Sequence, residues 1–555
     1  MPSLENTPTC KAQEVVYINK FKVQGIWEMP NNNRQNHSSK ANPYHPVCKD
    51  RCCKKGDVWI ANMGHGETIV FQKNGEYFLR DFGESSKNRA IGCSVGKILA
   101  DSAPSEKPQC PDDKSVCPLK SACIFRMIPR NGLVEDRPKW NAILSHAHSD
   151  HFNGFMMLFE NQETGQGGQP RNIFHKAYLP CFCSKQEDFA KYSKYVEAAL
   201  ISYCFFDNFN STDAKAQLDK RTYAGKEEAS AFLTYEIVMS GLSSQVTHLS
   251  AAHSSPEQGF AQDIYLPIRD AVNDAVFLNS DIEPYVERFW KALNESNLAL
   301  DGNDSVEAVF SGLRDEISSI LQHYLLLVSG NNSRNKKTDC DDVMKMMLGL
   351  AERTSKIKGR FDQQKLTDAY LTLVNVLSRN IDDASLVFDV TFECEAECTS
   401  ECCNDNNGKF GTPCRECDDP TKCNCPSCPS ALLASSSKTC KFPVTWLFLG
   451  DNHDSSIHTL FASGPFLRQN YDFIKAAHHG SRGGQALKAI GKKANCVVCC
   501  CGNGRHSNAV QKEYAEISKC VVLTALKDRW KQKGQIPPVL EQFRDKIKVL
   551  PDNAW

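Results

Sequence analysis

The chain has 555 residues, and its 65 basic and 66 acidic side chains leave a net charge of −1. A hydrophobic fraction of 41% is ordinary for a folded protein and excludes wholesale disorder. No apolar run approaches the roughly 18 residues that a membrane-spanning helix needs, and the first residues lack the basic and apolar regions of a signal peptide. We therefore predict a soluble cytoplasmic protein without a membrane partner, built as about two to four domains or as one domain with large insertions.

Alternating apolar and polar residues predict strands in the first part of the chain. One strand is predicted at residues 15–23. Residues 57–83 form two alternating runs separated by Lys73-Asn74-Gly75, which is a strong signal for a β-hairpin. A further strand at residues 140–145 leads directly into a group of histidines.

The sequence becomes helical in character between residues 185 and 379, where apolar residues recur at three- and four-residue spacing. Strand-like sequence returns at residues 385–392 and at 444–451. The Cys-rich residues between these strands are predicted to be an insertion at a hairpin tip, because their removal would leave two adjacent strands. The rest of the chain alternates three strand-like runs with a helix near residues 510–517.

The histidine group reads Ser-His-Ala-His-Ser-Asp-His over residues 145–151. Side chains two residues apart on an extended segment point to the same face, so His146 and His148 can share one metal ion. Asp150 and His151 follow on the next turn and can reach a second ion. Imidazole and carboxylate ligands suit zinc, manganese or iron, and three protein ligands plus a water are typical of catalytic sites. A structural role explains one histidine in a strand, but not three histidines and an aspartate within six residues.

Two later segments supply further candidate ligands. Asp451 ends a strand-like run, where its carboxylate could bridge two ions, and His478 and His479 end another. Motifs in this order resemble the metallo-β-lactamase superfamily and, more narrowly, the hydrolase domain of the ComEC-like DNA-uptake competence proteins and their soluble relatives. The motifs that carry the resemblance are Asn62-x-Gly64-His65-Gly66-Glu67, Leu79-x-Asp81-x-Gly83, the run SHAHSDHFNG from Ser145, Asn380-x4-Ser385-Leu386-Val387, Phe448-Leu449-Gly450-Asp451, His478-His479-Gly480-Ser481 and Gly502-Asn503-x-Arg505-His506. Asn62, His65 and Ser507 depart from the pattern of the subgroup, but they leave the metal ligands intact.

The resemblance implies an α/β fold, the αβ/βα four-layer sandwich of the metallo-β-lactamases, with a helical and a small Cys-rich insertion. The implied division is residues 1–184 for the first half of the domain, 185–379 for a mainly helical insertion, 380–393 for a core strand, 394–440 for the Cys-rich insertion and 441–555 for the second half.

The resemblance also implies two active-site divalent metal ions, zinc or manganese. His146 and His148 would hold the first ion, Asp150 and His151 the second, and Asp451 would lie between them. His479 is favoured over His478 as the last ligand of the second ion. The third histidine of the first site is not identified; the candidates are His175, His248 and His253. The position is often not a histidine in the ComEC-like subgroup, which would leave the first site open or weak.

Catalysis is expected to use a metal-activated water that Asp150 or Asp451 orients, with Ser481, Arg482 and His506 as contacts for a substrate anion or as proton donors. The leading hypothesis is a phosphodiesterase, most simply a nuclease acting on DNA or RNA. An excess of Lys and Arg over residues 475–548 fits contact with nucleic acid or an ordinary solvated surface. The alternatives are a hydrolase of small phosphoesters, lactones or thioesters, and a binding protein with a vestigial site.

The chain contains 27 cysteines, an odd number that argues for reduced thiols or metal ligands rather than for a set of disulfides. Several stand at the spacing of zinc sites, which predicts structural zinc; the alternative is a loop with free thiols. The candidate zinc ligands are Cys394, Cys398, Cys402, Cys403, Cys414, Cys417, Cys423, Cys425 and Cys428. Whether a zinc lobe would bind nucleic acid or protein stays open. The helical insertion could be a lid, a dimer surface or a module that binds a protein partner, and the sequence gives no oligomeric state.

Overall fold

The computed structural model describes about half of the chain, and the structural statements below concern these residues. They are residues 14–17, 58–63, 66–73, 76–83, 140–160, 172–180, 189–210, 226–249, 264–265, 282–296, 299–300, 306–329, 336–358, 364–397, 439–463, 468–501, 509–523, 536 and 538–549.

The described elements alternate between strands and helices along most of the chain. The strands are β1 (Glu14–Tyr17), β2 (Val58–Met63), β3 (Gly66–Lys73), β4 (Glu76–Phe82), β5 (Trp140–Ile143), β6 (Phe174–Pro180), β7 (Ser243–Leu249), β8 (Ile264–Tyr265), β9 (Ala299–Leu300), β10 (Ile357–Lys358), β11 (Phe388–Glu397), β12 (Thr439–Phe448), β13 (Asn470–Lys475), β14 (Lys493–Cys499), β15 (Ser518–Leu523) and β16 (Ile547–Val549). The helices are α1 (Ser149–Glu160), α2 (Phe189–Asn210), α3 (Lys226–Leu242), α4 (Glu283–Asn294), α5 (Val306–Ser329), α6 (Lys336–Ser355), α7 (Gln364–Asp383), α8 (Asp454–Ser463), α9 (Gly484–Ala489) and α10 (Glu513–Ile517), with short 3-10 helices at His478–Gly480 and Pro538–Lys546.

Two mixed sheets of seven strands each form the centre of the molecule. The first sheet has the order β1 to β7; its strands are antiparallel as far as β4 and parallel from β4 onward. The second has the order β16-β15-β14-β13-β12-β11-β8 and is parallel from β12 to β16. The protein is therefore of the α/β class, as the sequence predicted.

Both faces of each sheet are buried, and they are buried against different partners. Along β3, Phe71 packs in a cluster with residues of the second sheet, and its ring centroid lies 6.0 Å from that of Phe448 on β12. The intervening Val70 belongs instead to a cluster formed with residues of α1 to α7. On the second sheet, Phe448 and Leu447 alternate in the same way, and Leu447 packs with residues of α8, α9 and α10. The two sheets thus face each other, and helices cover their other faces.

Three predicted boundaries differ from the structure. The first alternating run of residues 57–83 is not one strand but two, β2 and β3, which pair from Met63 opposite Gly66. The interval 185–379 contains six helices of the described chain, but it also contains strands. Among them, β7 pairs with β6 in the first sheet and β8 pairs with β11 in the second sheet. Helix α7 continues past residue 379 to Asp383, which brings its last turn to the edge of the sheets.

Strands β11 and β12 pair antiparallel from Phe388 opposite Phe448 to Glu397 opposite Thr439. Most of the predicted Cys-rich insertion lies between their far ends, at residues 398–438, outside the described residues. Within the described ranges, no helix has the length and apolar character needed to span a bilayer.

Candidate metal centre

Four segments that follow or precede core strands supply the site. Residues 144–151 follow β5, Asp451 comes just after β12, and the 3-10 helix at His478–Gly480 comes just after β13. Asp382 lies in the last turn of α7, immediately before β11. Because the carboxyl ends of neighbouring parallel strands meet at one edge of a sheet, residues far apart in the sequence converge there.

Backbone hydrogen bonds lock these segments together. Leu386 N donates to Ser145 O at 2.9 Å, which fixes the connection between α7 and β11 against the end of β5. His478 N donates to Gly450 O at 3.1 Å, which joins the loops that follow β13 and β12. One main-chain hydrogen bond therefore connects the two sheets at the site, and the other connects two loops of the second sheet.

The first group of donor atoms belongs to His146, His148, Asp382 and Asp451. His148 Nδ1 lies 3.1 Å from Asp382 Oδ1. His146 Nε2 lies 3.8 Å from Asp382 Oδ1 and 3.8 Å from Asp451 Oδ2. Donors of a four-coordinate ion with bonds of about 2.1 Å lie about 3.4 Å apart. The spacing of the first group therefore fits a common metal ion.

The second group of donor atoms belongs to Asp150, His151, His479 and again Asp451. His479 Nε2 lies 3.0 Å from Asp150 Oδ2, and His151 Nε2 lies 3.9 Å from Asp150 Oδ1. His151 Nε2 also lies 3.5 Å from Asp451 Oδ2. The same carboxylate oxygen of Asp451 therefore lies close to a histidine nitrogen of each group.

Hydrogen bonds at the other ring nitrogens orient three of the histidines. His146 Nδ1 lies 3.0 Å from Ser145 Oγ, His151 Nδ1 lies 3.0 Å from Asp81 Oδ2, and His479 Nδ1 donates to Cys500 O at 2.9 Å. A metal-binding histidine usually uses one nitrogen for the ion and fixes its ring through the other. Each of these three rings has that arrangement, with Nε2 turned toward the donor groups.

Several donor atoms are buried without a hydrogen bond. Within the described chain, His146 Nε2, His148 Nε2 and Asp451 Oδ1 have no hydrogen-bond partner. Buried polar atoms in folded proteins are normally satisfied, and leaving one unpaired costs about 1–3 kcal/mol. A bound cation would satisfy histidine nitrogens and carboxylate oxygens together, so the residues present fit the divalent ions that the sequence predicts.

The electrostatics of the cluster favour a cation at its centre. Burial opposes the charge on His151, but the carboxylates of Asp451 and Asp150 outweigh burial and raise its pKa well above 6.5. Burial and the neighbouring His151 lower the pKa of His146 well below 6.5, and burial lowers that of His478 to about 4. Burial also opposes the charge on His148 and His479, but Asp382 outweighs it and raises the pKa of His148, and Asp150 does the same for His479. The carboxylates of the cluster therefore attract positive charge to its centre, which a bound cation would supply in place of protons.

Backbone strain is concentrated at the same place. Among the described residues other than glycine, positive φ angles occur at Asp81 (51°), His478 (44°) and His479 (58°). A side chain in this region costs of order 1–3 kcal/mol and persists where the surrounding structure enforces it. All three residues belong to the donor groups or contact them, so the strained backbone coincides with the candidate site.

The structure separates the two neighbouring histidines that the sequence offered for one position. His479 joins Asp150 and His151, whereas His478 Nδ1 lies 3.9 Å from both Asp382 and Asp451. Each of the predicted metal ligands other than His478 therefore lies in one of the two donor groups, and His478 lies beside the carboxylates of the first group. Asp150 and His151 occupy the first turn of α1 rather than a turn before it.

Two other predicted contacts have structural partners. Ser481 Oγ donates to His478 O at 2.8 Å and closes the strained turn. Arg482 Nη1 donates to Asp382 Oδ2 at 2.6 Å and to Asp451 O at 3.1 Å. Ser481 is therefore engaged within its own turn, while Arg482 positions the carboxylate of Asp382.

The sequence left the third histidine of the first site unidentified, and the described candidates do not lie there. Asp382 lies beside His146 and His148, whereas His175, on β6, belongs to none of the donor groups. The backbone of His248 lies in β7, opposite Leu179. His253 and His506 lie outside the described residues, as do all the candidate zinc cysteines except Cys394, whose backbone pairs with Phe442. The sequence feature that could have pointed to Asp382 is its position three residues before the motif Ser385-Leu386-Val387.

A buried group of charges that the sequence analysis did not identify underlies the site. Glu67, Arg80, Asp81 and Lys475 all have fully buried side chains, and Glu67 forms ion pairs with both Arg80 and Lys475. Arg80 Nη1 lies 3.1 Å from Asp81 Oδ2, the oxygen that contacts His151. This group connects both sheets to the second donor group through Asp81.

The comparisons with known proteins give no relative from which to transfer a role. No family model matches the chain, and no curated protein and no solved structure shows significant similarity to it. The site is therefore interpreted from its own residues.

Replacing Asp81 by asparagine is expected to weaken metal binding by about 10–100-fold, because it removes the charge that orients His151. Competition with a coloured chelator would measure the affinity. Asp472→Asn is the matched control, since Asp472 bonds Thr445 and Asn495 outside the donor groups. Equal affinities in the two variants would contradict an orienting role for Asp81.

Proposed function

We propose that this chain is a metal-dependent hydrolase with the metallo-β-lactamase αβ/βα sandwich, and that it cleaves phosphodiester bonds in DNA or RNA. The observation that carries the proposal is the pair of donor groups that share Asp451. Two ions about 3.5–4 Å apart, bridged by protein and water oxygens, are the usual arrangement in phosphatases and nucleases. The facing sheets with helices on their outer sides support the family assignment.

Two divalent ions held by these groups would supply a water of lowered pKa and positive charge beside a phosphoryl oxygen. The chain itself supplies orientation. The side chain of Asp150 is 29% exposed, whereas those of Asp451 and Asp382 are 2% exposed. Asp150 therefore lies on the open side of the site, where its carboxylate can accept a hydrogen bond from the attacking water and fix its direction.

The charge of the site favours an anionic substrate. Two divalent cations carry one more charge than the carboxylates of Asp150, Asp382 and Asp451, and Arg482 adds another positive charge at the partly open side. The buried carboxylates of Glu67 and Asp81 are balanced by neighbouring cations. A phosphodiester gains from this surplus of positive charge, whereas a neutral lactone or thioester does not.

The proposal is tested with purified protein and labelled single- and double-stranded DNA and RNA, each with Mn²⁺, Mg²⁺ or Zn²⁺ and with a chelator. We expect metal-dependent cleavage that Asp150→Ala reduces by more than about 100-fold, since losing a ligand costs more than losing its outer-shell partner. Asp342→Ala, at an exposed ion pair on α6, should cleave normally.

Two outcomes would contradict different parts of the proposal. Protein that holds metal but cleaves no nucleic acid would exclude the nuclease, and the substrates to try next are small phosphoesters, lactones and thioesters. Protein that retains no metal after dialysis against micromolar Zn²⁺ or Mn²⁺ would exclude a metal-dependent hydrolase altogether.

A further inference from the structure

The first donor group has an aspartate beside the two histidines, at a site for which the sequence identified no third histidine. Asp382 is 2% exposed, and its Oδ1 faces His148 Nδ1 at 3.1 Å and His146 Nε2 at 3.8 Å. Its other oxygen is held by Arg482 Nη1 at 2.6 Å. One carboxylate oxygen is thus anchored, and the other is presented to the same space as the two histidines.

Asp382 could serve this space in two ways. It could bind the metal ion together with His146 and His148, or it could accept a hydrogen bond from His148 Nδ1 and only orient that ring, as outer-shell carboxylates do. An orienting residue needs to contact one histidine. Asp382 belongs to one three-residue cluster with His146 and His148 and to another with Asp451 and His478, which is the environment of a ligand.

The unsatisfied atoms support the first role. His146 Nε2 is buried and without a hydrogen bond in the described chain, and the nearest carboxylate oxygens to it are those of Asp382 and Asp451, both at 3.8 Å. That distance is too long for a hydrogen bond but close to the separation of about 3.4 Å between two ligands of one ion. If Asp382 only oriented His148, His146 Nε2 would share an ion with Asp451 alone, and the equal approach of Asp382 would have no role.

We infer that Asp382 is a ligand of the first metal ion. The inference rests on the proposed metal-dependent function and gives both ions the same donor set, two histidines and two carboxylates, with Asp451 shared. The first site is then closed by the chain and not open or weak. Asp382 lies in the last turn of α7, which is the last helix of the predicted helical insertion. The end of this insertion would therefore be part of the metal centre.

The donor set has a consequence for metal selectivity. Carboxylate oxygens suit Mn²⁺ better than imidazoles do, whereas imidazoles suit Zn²⁺. An aspartate in place of a histidine therefore narrows the advantage in binding affinity that Zn²⁺ usually has over Mn²⁺. Asp382→His should restore that advantage while keeping two ions bound.

The test measures metal content by mass spectrometry after dialysis against micromolar Mn²⁺, together with the electron paramagnetic resonance spectrum of the bound Mn²⁺. Wild-type protein should hold two ions per chain with a spin-coupled spectrum. Asp382→Ala and Asp382→Asn should each hold one ion with the six-line spectrum of an isolated Mn²⁺. Asp382→His should hold two ions and bind Zn²⁺ at least about 10-fold better relative to Mn²⁺ than wild type does.

The asparagine variant separates a ligand from an orienting residue, because its amide oxygen still accepts a hydrogen bond from His148. Two coupled ions in Asp382→Asn would overturn the inference and leave the proposed function standing. No bound ion in wild type would instead overturn the proposed function.

Asp383→Ala is the matched control: the adjacent carboxylate bonds His453 and Ser456 and belongs to neither donor group. It should keep two coupled ions.

Discussion

Gly83→Ala is expected to lower the free energy of unfolding by more than about 4 kcal/mol and to abolish metal binding. A Cβ atom at Gly83 would overlap the carbonyl group of Asp150 and collide with the backbone nitrogen of His151. These are main-chain atoms in the first turn of α1, so no side-chain rotation can relieve the overlap. The end of β4 and the start of α1 would have to separate, and two metal ligands would move with the helix.

Helix α1 also packs closely on β4 in its next turn, because Gly154 lies against the ring of Phe82. Urea unfolding monitored by circular dichroism would measure the free energy of unfolding, and metal titration would measure the binding affinity. Gly312→Ala is the matched control: it lies in α5 with nothing within 4 Å of an added Cβ, and alanine should stabilise that helix by up to about 1 kcal/mol. Wild-type metal affinity in Gly83→Ala would contradict the close packing of α1 on β4.

The part of the site that the sequence predicts is the part whose geometry is local. His146 and His148 share a face because they lie two residues apart on an extended segment, and Asp150 and His151 follow within one turn. The choice of His479 over His478 needed the resemblance to a family, since both histidines follow the same strand. The structure brings all these predicted ligands together.

Asp382 could not be predicted in the same way. It lies in the last turn of a helix whose apolar spacing is ordinary, and an acidic residue near the end of such a helix is usually solvated. Tertiary contacts such as the hydrogen bond between Leu386 and Ser145 bring it to the histidines. The strand β7 was missed for a related reason: it follows α3 without a break, and its pairing with β6 is a tertiary contact that no local pattern encodes.

The buried charges beneath the site illustrate the same limit. Glu67, Arg80 and Lys475 lie on strands from two sheets, and each alone is a common surface residue. Their burial depends on one another, because an isolated charge in the interior costs several kcal/mol. Burial raises the pKa of Glu67, but Lys475 and Arg80 outweigh that effect and lower it to about 2. Glu67 therefore stays ionised at any pH at which the protein is expected to work.

Lys475→Met is expected to lower the free energy of unfolding by about 3–5 kcal/mol, because it leaves a buried carboxylate with one cation fewer. Lys475 is fully buried and forms an ion pair with Glu67, so water cannot replace the lost charge. Urea unfolding of the metal-free protein at pH 7 would measure the loss without a contribution from bound ions. A loss below about 1 kcal/mol would show that Lys475 and Glu67 are solvated and that the sheets do not enclose them.

A second substitution distinguishes the charge from the packing. In Lys475→Met with Glu67→Gln, no ionised partner is left without its cation, so the double variant should recover part of the stability that the single variant loses. Lys356→Met is the control for the substitution itself, since Lys356 pairs with Glu352 on the exposed face of a helix end and should change stability by no more than about 0.5 kcal/mol. Because Glu67 also pairs with Arg80, and Arg80 with Asp81, the lost charge should be felt at His151. Metal affinity should therefore fall in Lys475→Met and remain unchanged in Lys356→Met.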